Sequence, residues 1–121
     1  MGFNPKNYEE RTAISAGIVS IGVIISVNDG VSGDFLTEEA KKSWQGGLDV
    51  PAINLLIEIM YNGLSYKINK LLTYRSDNGK TLVAKNSNLG KYLKRYRKLP
   101  EVGDQVQCLT SSEGYWRILI D

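Results

Sequence analysis

Histidine is missing from all 121 residues, and with it the side chain that most often moves protons near neutral pH. Its absence excludes the Ser-His-Asp and Cys-His devices of nucleophilic catalysis. Cysteine occurs once, at Cys108, so no internal disulfide can form and a Cys/His zinc site lacks ligands. Cys108 is expected to be a small core hydrophobe in a strand. No glycine-rich loop ends in Lys-Ser or Lys-Thr, and Gly17, Gly22 and Gly30 do not form a dinucleotide fingerprint. The carboxylates Asp29, Asp34, Glu38, Glu39 and Asp49 lack the alternation of a calcium loop, and nothing in their spacing sets up an acid/base pair. Glu58 is expected in a polar seam with Asn54 or beside a basic residue. An enzyme is therefore the least favoured class, and neither a metal nor a cofactor is expected.

Acidic residues are scarce where basic ones are dense. Tyr66–Lys98 holds ten of the fifteen basic residues, Lys67, Lys70, Arg75, Lys80, Lys85, Lys91, Lys94, Arg95, Arg97 and Lys98, against Asp77 alone. The local charge is +9 in a chain of formal charge +2. Residues 1–61 sum to −4 and residues 62–121 to +6, a division that favours either a polyanion or head-to-tail self-assembly. At this length one domain, 1–121, is expected, with an acidic, mainly helical half and a basic half.

Charge of either sign is absent from Thr12 to Asn28. A helix of seventeen residues would span roughly 26 Å, at the lower edge of what crosses a bilayer. Its serines and glycines dilute its apolarity, so stable membrane insertion is not expected. Glu9 and Glu10 stand where a secretory leader would be basic. Ile14, Ile18, Ile21 and Ile25 recur at helical spacing after a start at Asn7-Tyr8-Glu9-Glu10, and Thr12, Ser15, Val19, Gly22 and Ser26 form a small-residue face. A helix is preferred, against a β alternative supported by the many Ile and Val residues.

Asn28–Asp34 is turn chemistry, and Thr37 caps a short helix through Trp44 that Gln45-Gly46-Gly47 ends. Pro51–Met60 is expected as a surrounded helix, with Asn54, Glu58 and Asn62 on one stripe and Asn62-Gly63 as its stop. Leu64–Arg75 and Thr81–Lys85 bracket Asn78-Gly79 as a hairpin, preferred over a helix from Ser65. Asn86-Ser87-Asn88 caps a helix over Leu89–Lys98. Gln105–Leu109 and Tyr115–Ile120 flank the turn Thr110–Gly114 as two strands. The expected fold is α+β, with N-terminal helices packed on a small antiparallel sheet formed mainly by the C-terminal half.

The basic helix is the strongest functional signal. Lys91, Lys94, Arg95 and Lys98 lie along one face and Arg97 broadens the patch, while Tyr92 or Tyr96, if solvent-facing, would stack on bases. Lys67, Lys70 and Arg75 complete the candidate nucleic-acid-binding set. Thr81–Lys98 has the outline of a helix-turn-helix, although Thr81–Ala84 is short and β-leaning for a first helix. The expectation is a non-catalytic protein that contacts nucleic acid or another polyanion through this face. The alternative is a self-assembling structural subunit, a homo-oligomer in a viral, phage or secretion-type particle. Either would reside in the cytoplasm or inside a particle assembled there.

Overall fold

A computed structural model of the chain describes residues 17–112 and 114–120. Its main body is a five-stranded antiparallel sheet built from β1 (Val19–Val31), β2 (Pro51–Tyr61), β3 (Leu64–Thr73), β6 (Gln105–Thr110) and β7 (Trp116–Ile118). The spatial order is β3-β2-β1-β6-β7, so the fourth strand returns beside the first in a Greek key. A two-stranded ribbon, β4 (Arg75–Asp77) with β5 (Lys80–Leu82), stands apart from the sheet. Three helices are distributed along the described chain: α1 (Ser32–Phe35), α2 (Glu38–Ser43) and α3 (Asn88–Tyr96). The fold is α+β as expected, but the helices are scattered and the sheet begins in the first half.

Two helices expected from the sequence are strands. The first, read through Asn28, is β1 over its described part, and its beginning lies outside the described residues. Ile18, Ile24 and Val27 pack on the core, whereas Val19, Ile21, Val23 and Ile25 point outward. A bulge between Ile24 and Ser26 makes the inward series jump from 24 to 27, which disguises the period of two. Apolar residues on both faces complete the disguise. The proposed small-residue face does not exist as a surface: Val19 faces out, and Gly22 is buried where a Cβ would meet Ile57 Cγ2 at 2.6 Å and Cys108 Sγ at 3.0 Å. Thr12 and Ser15 lie outside the described residues. β1 also continues through Asn28–Val31, so the turn starts at Ser32, not Asn28.

The second misread helix is β2, which starts at Pro51, a strand-initial position where the missing N–H costs no ladder bond. Leu55, Ile57 and Ile59 are fully buried while Asn54, Leu56, Glu58 and Met60 share the other face. Steps of four suit a helix, but they are also even steps and keep one strand face. Asn62-Gly63 does not stop a helix. With φ of 51° and 74° it forms the two-residue turn joining β2 to β3, Tyr61 pairing Leu64. β3 consequently pairs with β2, and the second Asn-Gly turn, Asn78-Gly79, closes only the short β4–β5 ribbon.

Four antiparallel steps leave the edge strands β3 and β7 pointing the same way, and the sheet curls until they meet. Trp116 on β7 contacts Tyr66 of β3 at a ring-centroid distance of 6.0 Å and Tyr61 at 5.6 Å, edge to face. Such pairs contribute about 0.5–1.5 kcal/mol beyond area burial. The Trp116 indole N–H is buried without a partner among the described residues, a cost of about 1–3 kcal/mol that the ring's packing must exceed. Inside the curled sheet lie Ile24, Leu55, Ile57, Ile59, Leu72, Val106, Cys108 and Ile118, joined by Leu89 and Tyr92 from α3. Burial pushes the Cys108 thiol up to about 11, as befits a core side chain. Among the described residues no helix is long and apolar enough to cross a membrane.

Candidate functional site

α3 begins where the sequence placed its cap. The Ser87 hydroxyl accepts from the Gly90 N–H at 3.0 Å and donates to the Ala84 carbonyl at 2.6 Å, tying the preceding loop to the first turn. Gly90 is what lets that loop lie flat against the helix. A Cβ there would run into the Ala84 carbonyl oxygen and come within 3.0 Å of the Lys85 carbonyl oxygen. The close approach carries Lys85 and Asn86 to the flank of α3.

The far end of α3 is fastened to the sheet. The Tyr96 hydroxyl donates to the Leu119 carbonyl at 2.6 Å and accepts from the Gln107 N–H at 3.1 Å, and Arg95 donates to Gln107 Oε1 at 2.7 Å. Arg97 closes the helix in the left-handed conformation, φ 65°, its N–H donating to the Leu93 carbonyl at 2.9 Å. Lys94 and Arg95 lie in the last turn, where cations meet the negative end of the helix dipole.

Between these anchors the surface is hollowed. One open depression is lined by Lys85, Asn86, Lys91, Lys94, Arg95 and Ile120. A second, beside it, shares Lys85, Asn86 and Lys94 and has Val83, Gly90 and Leu93 as its floor. Among the described residues no carboxylate lines either one. Lys85 and Lys94 make no ion pair or side-chain hydrogen bond to any described residue. At least two of the four cations here are thus unneutralised, and placing such charges in a concavity concentrates their field.

Not every residue singled out from the sequence joins this cluster. Lys91, Lys94 and Arg95 do. Lys98 is drawn away, 3.0 Å from Asp104 Oδ1 and 3.7 Å from Glu101 Oε2, and the Asp104 hydrogen bond raises its pKa further above the usual lysine value. Lys67 lies on the outer sheet face opposite Glu58, which also accepts from the Ser65 hydroxyl at 3.1 Å. Lys70 lies on the opposite face of the same strand, across from Leu55, and Arg75 is exposed on the separate ribbon. Tyr92 is 1% exposed, its hydroxyl pushed up to about 12 by burial first and by Asp104 next, so its ring is unavailable for stacking. Tyr96 is half-buried against it at 4.6 Å with its hydroxyl engaged. The helix-turn-helix outline dissolves because Lys80–Leu82 is strand β5.

Lys85 and Asn86 are the residues that sequence reasoning left out of the candidate set. The signal was there in part: a glycine in the first turn of a capped helix marks a close backbone approach, and the approaching backbone is the segment just before the cap. Of the carboxylates, Glu58 sits in the polar seam expected for it, and among the described residues no three Asp, Glu or Cys side chains converge as metal ligands. No family model matches the chain, and no curated protein or solved structure matches it either.

Proposed function

We propose that the protein is a non-catalytic binder of nucleic acid or another phosphate-rich polyanion, with the contact surface at α3 and the loop before it. The observation that supports this reading is the meeting of Lys85 and Lys94, from two chain segments and without an ion pair, around hollows with no acid among their described lining residues, with Lys91 and Arg95 beside them. Ammonium and guanidinium groups gathered this way bind successive phosphates by releasing condensed counterions, so affinity falls as salt rises. The cluster is narrower than the whole basic segment, since Lys67, Lys98 and Arg75 stand elsewhere.

Charge reversal tests it. Lys85→Glu with Lys94→Glu, at two exposed side chains, is expected to leave the melting temperature near that of the parent and to weaken binding of a labelled oligonucleotide at least tenfold, about 1.4 kcal/mol. Elution from heparin should move to lower salt. Lys67→Glu with Arg75→Glu makes the same change in net charge and is expected to have a much smaller effect. Equal losses from the two pairs would mean that only net charge matters, and the assignment to α3 would fall.

A second reading, self-assembly, has its own observation. Val19, Ile21 and Met60 are 56%, 57% and 58% exposed on the outer face of the sheet, with Val23 and Ile25 beside them. Glu58, Gln105 and Gln107 flank them on the neighbouring strands, and exposed apolar side chains gathered along a strand mark contact sites in other proteins. They support a subunit interface on β1 in place of the small-residue helix face expected from the sequence.

A further inference from the structure

The core face of β1 ends on a carboxylate. Val27 pairs with the fully buried Leu55 and Asp29 with Ile53, and directly opposed residues share a face, so Asp29 follows Ile24 and Val27 on the side that lines the core. It borders a hollow of about 250 Å³ beside the first turn of α3, whose apolar walls are Val27, Ile53, Leu89, Leu99 and Pro100. Tyr74 and Thr81 line it too. The Tyr74 hydroxyl donates to Asp29 Oδ1 at 2.8 Å, and that hydrogen bond, ahead of burial, raises the phenol's pKa and keeps its proton in place. The hollow therefore presents acceptors: the remaining lone pairs of the carboxylate, the Tyr74 hydroxyl oxygen, and Thr81 Oγ1, which accepts as readily as it donates. Among the described residues Asp29 has no ion pair, and no lysine or arginine lines the hollow. Lys98, next to Leu99 in the chain, is held by Glu101 and Asp104.

We infer that this hollow takes a primary ammonium group carried on a short apolar stem, as in a free alkylamine or in a lysine side chain of another protein. An ammonium has three N–H donors and no acceptor, which matches oxygens that accept and a carboxylate that lacks a cation. An anionic ligand would meet Asp29 as a like charge, and an alcohol brings one donor and no charge. A guanidinium binds best across both oxygens of a carboxylate, and Tyr74 already occupies one of them. A metal ion is disfavoured because no three ligating side chains converge among the described residues. The apolar walls select the stem, as in ligand sites where a few polar groups orient a mainly apolar body. The volume is that of about eight waters at about 30 Å³ each, room for a stem of about four to five carbons and too little for a nucleotide. This site goes beyond the polyanion reading and does not depend on it, since it shares no lining residue with the two hollows at α3.

The test is a titration of the full chain, followed by methyl NMR, with n-pentylammonium, n-pentanol, pentanoate and Nα-acetyl-lysine amide. Pentylammonium is expected to saturate with a Kd of about 1–10 mM and to shift the methyls of Val27, Ile53, Leu89 and Leu99. Pentanol and pentanoate should bind at least tenfold more weakly, about the difference a lost charge partner makes. Asp29→Asn keeps an acceptor for the Tyr74 hydroxyl and removes the charge, so the melting temperature should hold while pentylammonium binding weakens at least tenfold. Tyr74→Phe removes one acceptor and should weaken it about threefold. The lysine derivative separates the two sources: affinity within about threefold of pentylammonium assigns the site to a lysine of a partner protein, and its exclusion assigns it to a free amine. Pentanol binding as tightly as pentylammonium, unchanged affinity in Asp29→Asn, shifts confined to other methyls, or no saturation by about 50 mM overturns the inference and reduces the Tyr74–Asp29 bond to a tie between strand ends.

Discussion

Lys94 on α3 and Lys67 on β3 carry the same charge and are both exposed, yet their surroundings differ in kind. Lys67 faces Glu58 across a strand pair, and that face is knitted by Ser65 to Glu58 and by Asn54 to Asn69 at 3.0 Å. A cation set opposite a carboxylate in a ladder has its field cancelled locally. Lys94 has Lys85, Lys91 and Arg95 for neighbours around its hollow. Where the outer sheet face is not internally paired it is apolar, over β1. A count of lysines along a segment therefore overstates a binding surface: what matters is which cations the fold leaves without an ion pair, as it leaves Lys85 and Lys94 among the described residues.

The severest perturbation of the α3 region is Gly90→Ala. Its Cβ has no room against the Ala84 carbonyl, so either the loop or the helix must move; the expected loss is ~2–3 kcal/mol in chemical denaturation, at the upper end for overpacking. Because Lys85 rides on that loop, polyanion affinity should fall too, even at temperatures where the variant is folded. Affinity unchanged in a folded Gly90→Ala protein would show that the loop does not belong to the site.

Smaller and opposite in sign is Arg97→Gly. Arg97 holds a left-handed conformation that costs a residue with a Cβ roughly 1–2 kcal/mol, and glycine relieves it at the price of some unfolded-state entropy. A net gain of ~0.5–1 kcal/mol in stability is expected. Arg97 lines neither of the hollows at α3, so affinity should barely change. A large affinity loss would extend the site to the helix end and weaken the contrast with the sheet face.

The mildest change probes the sheet. Val19→Thr with Val23→Thr keeps β-branched shape on exposed strand positions, so stability should stay within about 0.5 kcal/mol. Light scattering should show less self-association if β1 is a subunit interface, and oligonucleotide affinity should hold. Should both fall together, the two regions would form one surface, and the second reading would merge with the first.

Much of the second half was legible because its signals are local. Ser87 as a cap with Leu89 at helical register, Asn78-Gly79 as a hairpin turn though not with the strands expected around it, and Gln105–Leu109 facing the strand after Tyr115 all appear in the structure. Thr37 likewise caps α2. The first half misled because β1 and β2 are apolar on both faces, one inward and one either solvent-exposed or mixed with Asn54 and Glu58, so neither shows clean alternation. Asn62-Gly63 carries the same turn signal as Asn78-Gly79, but reading Pro51–Met60 as helix turned that signal into a stop. One wrong element thus altered the partner of the next: β3 pairs back to β2 instead of forward to residues 81–85.

What the chain's order of residues settles is whatever a few neighbours can enforce: the capped helix at 88–96, the turns with positive φ, the exclusion of histidine and disulfide chemistry, and a charge of +9 over Tyr66–Lys98. Backbone sterics and side-chain capping act within four residues, so they need no partner to be read. The strand identity of 19–31 and 51–61, the burial of Tyr92, and the sorting of ten basic residues into paired, isolated and clustered ones depend on segments far apart in the chain. Those outcomes follow from the closing of the sheet around a common core, since ladder bonds and burial are gained only when distant strands meet.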